Sequence, residues 1–442
     1  TYQGTTPLGP DREGLLEAIR EATKTQILWA LALIDALMTR AIWESDLWSA
    51  ILRGWKDAEA GVDHWRKILS VLRRPEVHKN HSYAAANLLY SLVKDQARPF
   101  ALEILADSDE VALATWYSLT ADEPTDEIED WLGAAINRPA GILAQFWIGA
   151  LSLSVSGKSG ADRRMPPLYE DRFALLISDN SVNGGYARSV LAAQTGFLLG
   201  LSPTWTNDHM LPLFSSAEPV RFKSAWDGFL TWGRMNGAVA HALLPHYMSA
   251  LPHLHTRLES VHQKLIELGV DFAVFHADDP TTDLIPALFK HATAEDAEAF
   301  ASQIAYRLSF MAEDAIQHLW KSWLAQYWEQ RLQGVPAPLA AGEFAHMLDW
   351  LPFLGGLYPA AVDLALQGMP VNYEHGTLLY RLKEGKLPEQ FPDATARLLI
   401  FLCACELPYQ LGFLKDIAER LQGLAPATRK ALDDWLVAKG VL

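Results

Sequence analysis

Apolar residues recur at helical spacing along the whole chain, and sustained alternation of the strand type is absent. Trp48, Ile51, Leu52 and Trp55 follow the i, i+3, i+4, i+7 spacing of one helical stripe, and Trp65, Ile68, Leu69 and Leu72 repeat it. The pattern returns at Ile304, Leu308 and Met311 and at Leu414, Ile417, Ala418 and Leu421. Each stripe must be buried against another element. Short loops marked by Gly and Pro make the sequence neighbour, running antiparallel, the expected partner. The corners recur at a loose period of roughly 40 residues, within the range of HEAT-like repeats. The expected fold is therefore all-α, a right-handed solenoid of HEAT-like antiparallel helix pairs. A chain of 442 residues exceeds one ordinary compact core, but a repeat array buries one face per unit.

Helix ends are marked by capping chemistry. Asp126 precedes an expected helix over Ile128–Ile136, and Arg138-Pro139 follows it. Thr293 with Asp296 has the spacing of a capping pair. Gly269, Gly334, Gly368, Gly385, Gly423 and Gly440 sit just past apolar stripes, where a C-terminal cap is expected. Pro426 falls at the first turn of the last helix. The longest irregular stretch, Ser156–Pro167, suggests a boundary between helical blocks over 1–160 and 161–442.

Charge narrows the function. The formal net charge of −16 repels phosphate backbones and disfavours broad nucleic-acid binding; Lys158, Arg163 and Arg164 form one small basic group. Cys403 and Cys405 are too few and too close for a disulfide framework or a zinc site, and they read as small buried thiols in a reducing cytoplasm. The apolar runs Ile27–Met38 and Ile142–Val155 fall short of the ~20 residues that span a bilayer and read as buried helices. With Thr at its start and no signal peptide, the chain reads as a fragment or a processed product.

Catalytic motifs are weak. Gly157-Lys158-Ser159 lacks the upstream glycine of a phosphate loop and follows a helical pattern, so it reads as linker. His241, His246, His253, His255 and His262 show no metal-ligand spacing. Glu343 and His346 are i, i+3, without the second pair that a di-metal bundle needs. Asp130-Trp131, Asp349-Trp350 and Asp434-Trp435 would suit an α/α-toroid carbohydrate enzyme, in which carboxylates work beside sugar-stacking rings. Each of these tryptophans also fits an apolar stripe. The expectation is no catalytic residue, no cofactor and no metal.

Two segments carry a resemblance. Trp226-Asp227-Gly228-Phe229-Leu230-Thr231-Trp232 is one; the other runs from Tyr327-Trp328-Glu329-Gln330-Arg331 through Gly334-Val335-Pro336-Ala337-Pro338 to Glu343, Met347, Trp350 and Leu351. Together they resemble the helical C-terminal regions of bacterial anti-phage defence proteins that carry an N-terminal sirtuin-like, NAD-consuming effector. The similarity is clearest from Arg221 to Leu366. It implies a non-catalytic sensor or scaffold that holds a protein partner, either a phage component or an effector domain. An oligomerisation role for an attached effector is the other outcome it allows. No sirtuin-like sheet or glycine-rich nucleotide loop is present in this sequence. Interfaces favour Trp, Tyr and Arg anchors. The expected partner-binding residues are Trp320, Lys321, Trp323, Trp328 and Arg331, with Trp226, Trp232 and Arg234.

Overall fold

The computed structural model describes residues 11–94, 101–120, 128–370, 377–402, 411–438 and 440. Among them every regular element is helical, so the fold is all-α. No helix among the described residues is long and apolar enough to cross a membrane. Cys403, Cys405 and Asp126 lie outside the described residues.

The chain divides into two compact units, Thr1–His246 and Tyr247–Leu442. In the first, one row of helices runs Arg12–Thr25, Ser45–Lys56, Ser82–Lys94, Pro139–Val155, Val182–Ala193 and Pro219–Trp232, and each packs on the next. In the second, His262–Phe275, Ala294–Leu308 and Ala341–Leu348 stack in the same manner, as do Tyr358–Ala365, Pro392–Leu402 and Pro426–Ala438.

The irregular stretch after residue 156 does not divide the units. Asp109 reaches across it: its carboxylate accepts from Trp147 Nε1 at 2.8 Å on the near side and from Arg172 Nε at 3.0 Å and Nη2 at 2.7 Å on the far side. Arg172 therefore anchors the Pro167–Ser178 helix to elements that precede the loop. The compact units divide at 246/247, not at 160/161.

The Trp-Asp-Gly segment is explained by packing. Trp226 is fully buried and donates from Nε1 to the Phe214 carbonyl at 3.0 Å. Asp227 accepts from the Leu132 backbone N–H at 2.8 Å, satisfying an orphan donor at the start of the Trp131–Ala135 helix. Gly228 lets the Pro219–Trp232 helix touch the Val182–Ala193 helix, since a Cβ there would stand 2.0 Å from the Ser189 carbonyl oxygen. Neither backbone can yield locally. Gly228→Ala is expected to cost about 1–3 kcal/mol, the range for overpacking a tight core. Urea titration against the parent chain checks it, and an unchanged midpoint would refute the close approach. Arg188, buried in the same layer, donates from Nη1 to the carbonyls of Ile177 at 3.2 Å and Asp179 at 2.5 Å at the end of the Pro167–Ser178 helix. Burial, then the charge of Arg221, pulls its pKa down to about 10.

Several end signals act as the sequence suggests. Thr293 and Asp296 form a reciprocal capping box. Pro426 opens the Pro426–Ala438 helix. Gly334, at φ 75°, closes a Schellman motif: its N–H reaches the Arg331 carbonyl and that of Val335 reaches Gln330, each at 2.9 Å. Others differ. The expected Ile128–Ile136 helix begins at Trp131, because Asp130 accepts from Gly133 N and caps it there. Gly269 is not a cap but lies inside His262–Phe275, where a Cβ would meet the Tyr247 hydroxyl at 2.3 Å. The run Ile27–Met38 is only partly covered: Leu28 is 64% exposed, and Ala30, Ile34 and Leu37 form its buried line.

Candidate functional site

Burial sorts the expected anchors into two groups. Trp323, Trp328 and Arg331 are no more than 1% exposed, and Trp320 and Trp226 are also buried. A side chain without solvent contact cannot grip a partner, so these five are corrected to core residues. Lys321 is exposed on the π-helical turn Trp320–Leu324. Trp232 and Arg234 are exposed as well, and the structure brings these two together.

The buried group forms a clasp around the Gly334–Pro338 corner. Arg331 donates to Glu343 through both arms, Nε to Oε1 at 2.6 Å and Nη2 to Oε2 at 2.7 Å. Its remaining donors hold the loop carbonyls of Val335 at 3.1 Å and Ala337 at 2.5 Å, and its plane lies over the Phe289 ring at 4.8 Å. Tyr327 donates its hydroxyl to Glu343 at 2.8 Å. Burial opposes the Arg331 charge, but the Glu343 hydrogen bonds and charge outweigh it and raise the guanidinium pKa. Burial, reinforced by the Glu343 charge, lifts Tyr327 well above its ordinary value, so the phenol stays a donor. Trp328 packs against Trp350 at 6.0 Å and Phe344 at 6.2 Å, walling the pair off from water. This cluster is structural.

The exposed pair stands at a groove in the first unit. The Pro219–Trp232 helix stops at Trp232, and Gly233 leaves it in extended conformation. Asn236 restarts the chain by accepting from Val239 N at 3.0 Å. Trp232, 49% exposed at the end of its helix, and Arg234, on the short connection that follows, thus stand close together in the chain between two helices. The facing wall is the start of the Thr195–Leu201 helix with Gln194 and Phe197, and Ile148 and Ser152 of Pro139–Val155 complete the lining. Gly196 lies against this connection: a Cβ there would be in ordinary contact, 3.4 Å from the Arg234 carbonyl. The cavity measures about 630 Å³. Among its lining residues Arg234 is the one ionisable group, and it makes no hydrogen bond or ion pair with any described residue.

Other constellations have structural duties. His255 Nε2 lies 2.6 Å from Asp296 Oδ2, and the His255 and His262 rings are 5.4 Å apart; Asp296 also serves the Thr293 cap. Glu343 is committed to Arg331, while His346 meets Asp349 at 3.3 Å and Glu298 at 3.5 Å. Among the described residues no group of three or more His, Cys, Asp or Glu is placed to hold a metal ion. Trp131 and Trp350 are buried and offer no ring to a sugar.

Residues 272–411 match a domain of unknown function, DUF4020. The match takes in the Arg331 clasp, lies within Tyr247–Leu442 and leaves the groove outside. No curated protein and no solved structure matches the chain.

Proposed function

We propose that the chain is a non-catalytic helical-repeat module, a solenoid of stacked helix pairs, that holds a protein partner by an exposed segment in the Trp232–Arg234 groove. The observation that carries this reading is the composition of the lining. One indole face, one guanidinium unpaired among the described residues, amides, the Ser152 hydroxyl and aliphatic surface can bind, but the lining holds no acid or base to activate that hydroxyl. Trp and Arg are also the residue types that dominate binding energy at interfaces. Arg234 on a chain of net charge −16 selects the segment: an apolar or aromatic side chain for Trp232 and Phe197 beside a carboxylate for Arg234. The resemblance to the helical regions of anti-phage defence proteins is consistent with such a module acting as sensor or scaffold in the bacterial cytoplasm.

The test is an array of short peptides pairing Asp or Glu with Leu, Phe or Trp, each beside a Lys-substituted copy. The intact chain is expected to retain acidic–apolar peptides and to ignore the Lys copies. Trp232→Ala and Arg234→Glu should each weaken retention by roughly tenfold or more. Trp29→Ala, exposed on a different helix, should leave it unchanged. Retention indifferent to both groove variants would remove the proposal.

A further inference from the structure

A second concavity in the first unit has a different chemistry. It lies between Arg12–Thr25, Ser45–Lys56 and Ser82–Lys94 and measures about 290 Å³. Three cationic side chains line it, Arg20, Arg53 and Lys56, against one carboxylate, Asp57. On a chain with 53 acidic and 37 basic residues, that local excess of positive charge runs against the whole.

The packing builds it. Gly54 brings the first two helices into contact, since a Cβ there would stand 2.5 Å from the Arg20 carbonyl and 2.8 Å from Thr23 Cβ. Arg20 Nη2 then donates to Asp57 at 2.8 Å and its Nη1 lies 3.6 Å from Glu17 on its own helix, which fixes its guanidinium at the groove, and its Nε is closed to water with no acceptor among the described residues. The Arg53 side chain makes no hydrogen bond or ion pair with any described residue. The third helix contributes Tyr83, 46% exposed, and Asn87 one turn on. The Asn87 amide N–H is taken by the Tyr83 carbonyl at 3.0 Å, leaving its oxygen as an acceptor.

We propose that this groove binds a small aryl phosphate, with the phosphate on Arg53 flanked by Arg20 and Lys56, and the ring on Tyr83. Each part follows from a side chain in place. A phosphate monoester carries close to two negative charges at neutral pH, which suits several converging cations better than a single carboxylate does. Guanidinium groups meet phosphate oxygens in bidentate fashion. An exposed phenol ring beside them offers a face for stacking. The volume falls just below the roughly 300–1,000 Å³ of ordinary ligand pockets, so it admits a single ring with its phosphate. This site is separate from the Trp232 groove and shares no lining residue with it.

Titration calorimetry on the intact chain at low salt tests the assignment with three probes: inorganic phosphate, phenyl phosphate and benzoate. Phenyl phosphate is expected to bind saturably and roughly tenfold more tightly than either of the others. Arg53→Gln should weaken it by about tenfold, and Tyr83→Ala should reduce it to the level of inorganic phosphate. Both side chains are solvent-exposed, and unchanged thermal unfolding of each variant will show that the fold is intact. Arg53→Glu, a charge reversal, is the second variant at that position and should abolish binding. Absence of saturable binding, equal affinity for benzoate, or wild-type affinity in Arg53→Gln would each overturn the proposal. Loss of peptide retention in Trp232→Ala leaves these titrations unaffected, so the two sites fail independently.

Discussion

Arg331→Ala is expected to lower the stability of the second unit by about 3–5 kcal/mol, the range for removing one partner of a buried ion pair. Both members of the Arg331–Glu343 pair are essentially without solvent contact, and their closest approach is 2.6 Å. The variant leaves the buried Glu343 carboxylate with the Tyr327 hydroxyl but no cation, while the loop carbonyls of Val335 and Ala337 lose their donor. Replacing both charges, Arg331→Met with Glu343→Leu, should recover a large part of the loss, because no charge is then buried alone. Recovery stays incomplete because the corner carbonyls remain unpaired. Urea unfolding followed by tryptophan emission reads the result, since Trp323, Trp328 and Trp350 surround the cluster. A single-variant loss below ~1 kcal/mol would mean that the pair is hydrated in solution and not held as described. The same experiment guards the function: any partner lost on changing Arg331 is lost through unfolding, whereas Trp232→Ala leaves the core untouched.

Acidification is expected to weaken the first unit through His81. This ring is buried, stacked on Trp48 with centroids 5.0 Å apart, and burial pulls its pKa down to about 4. In the unfolded chain it titrates near its ordinary value of 6.5. Between those values the unfolded state binds the extra proton. The contribution is therefore fully present above pH 6.5, declines as pH falls, and is exhausted below pH 4. The gap corresponds to about 3 kcal/mol. A cation on the Trp48 face would return roughly 0.5–2 kcal/mol, which is less than burial removes. His78 and His246 are also lowered by burial and push in the same direction. Urea midpoints at pH 7.5, 5.5 and 4 measure the slope. His81→Phe, which keeps a ring on Trp48, should flatten it, and an unaltered slope would show that the imidazole is already hydrated.

The helical stripes made the fold class legible, because an apolar i, i+3, i+4, i+7 series has few other uses. The Thr293 capping box and Pro426 were readable for the same reason: each satisfies a local backbone requirement. The anchors were not. Trp320, Trp323 and Trp328 have the composition of an interface and the spacing of a core, and composition cannot choose between them. One signal could have decided it. Glu343 shares its stripe with Met347 and Trp350, and a carboxylate inside an apolar stripe calls for a buried cation. Arg331 before the proline corner is the natural candidate. The groove was half legible, since Trp232 and Arg234 were in hand but Phe197 and Ile148 come from distant helices. The His255–Asp296 contact bridges 41 positions and left no local trace.

The division at residue 246 separates the arginine-clasped corner from both clefts along the chain. The stretch that matches other sequences begins at residue 272, whereas the Trp232 groove and the cationic concavity both precede the division. A lesion at the arginine-clasped corner is therefore expected to show in the unfolding of Tyr247–Leu442, and a lesion in either cleft in that of Thr1–His246.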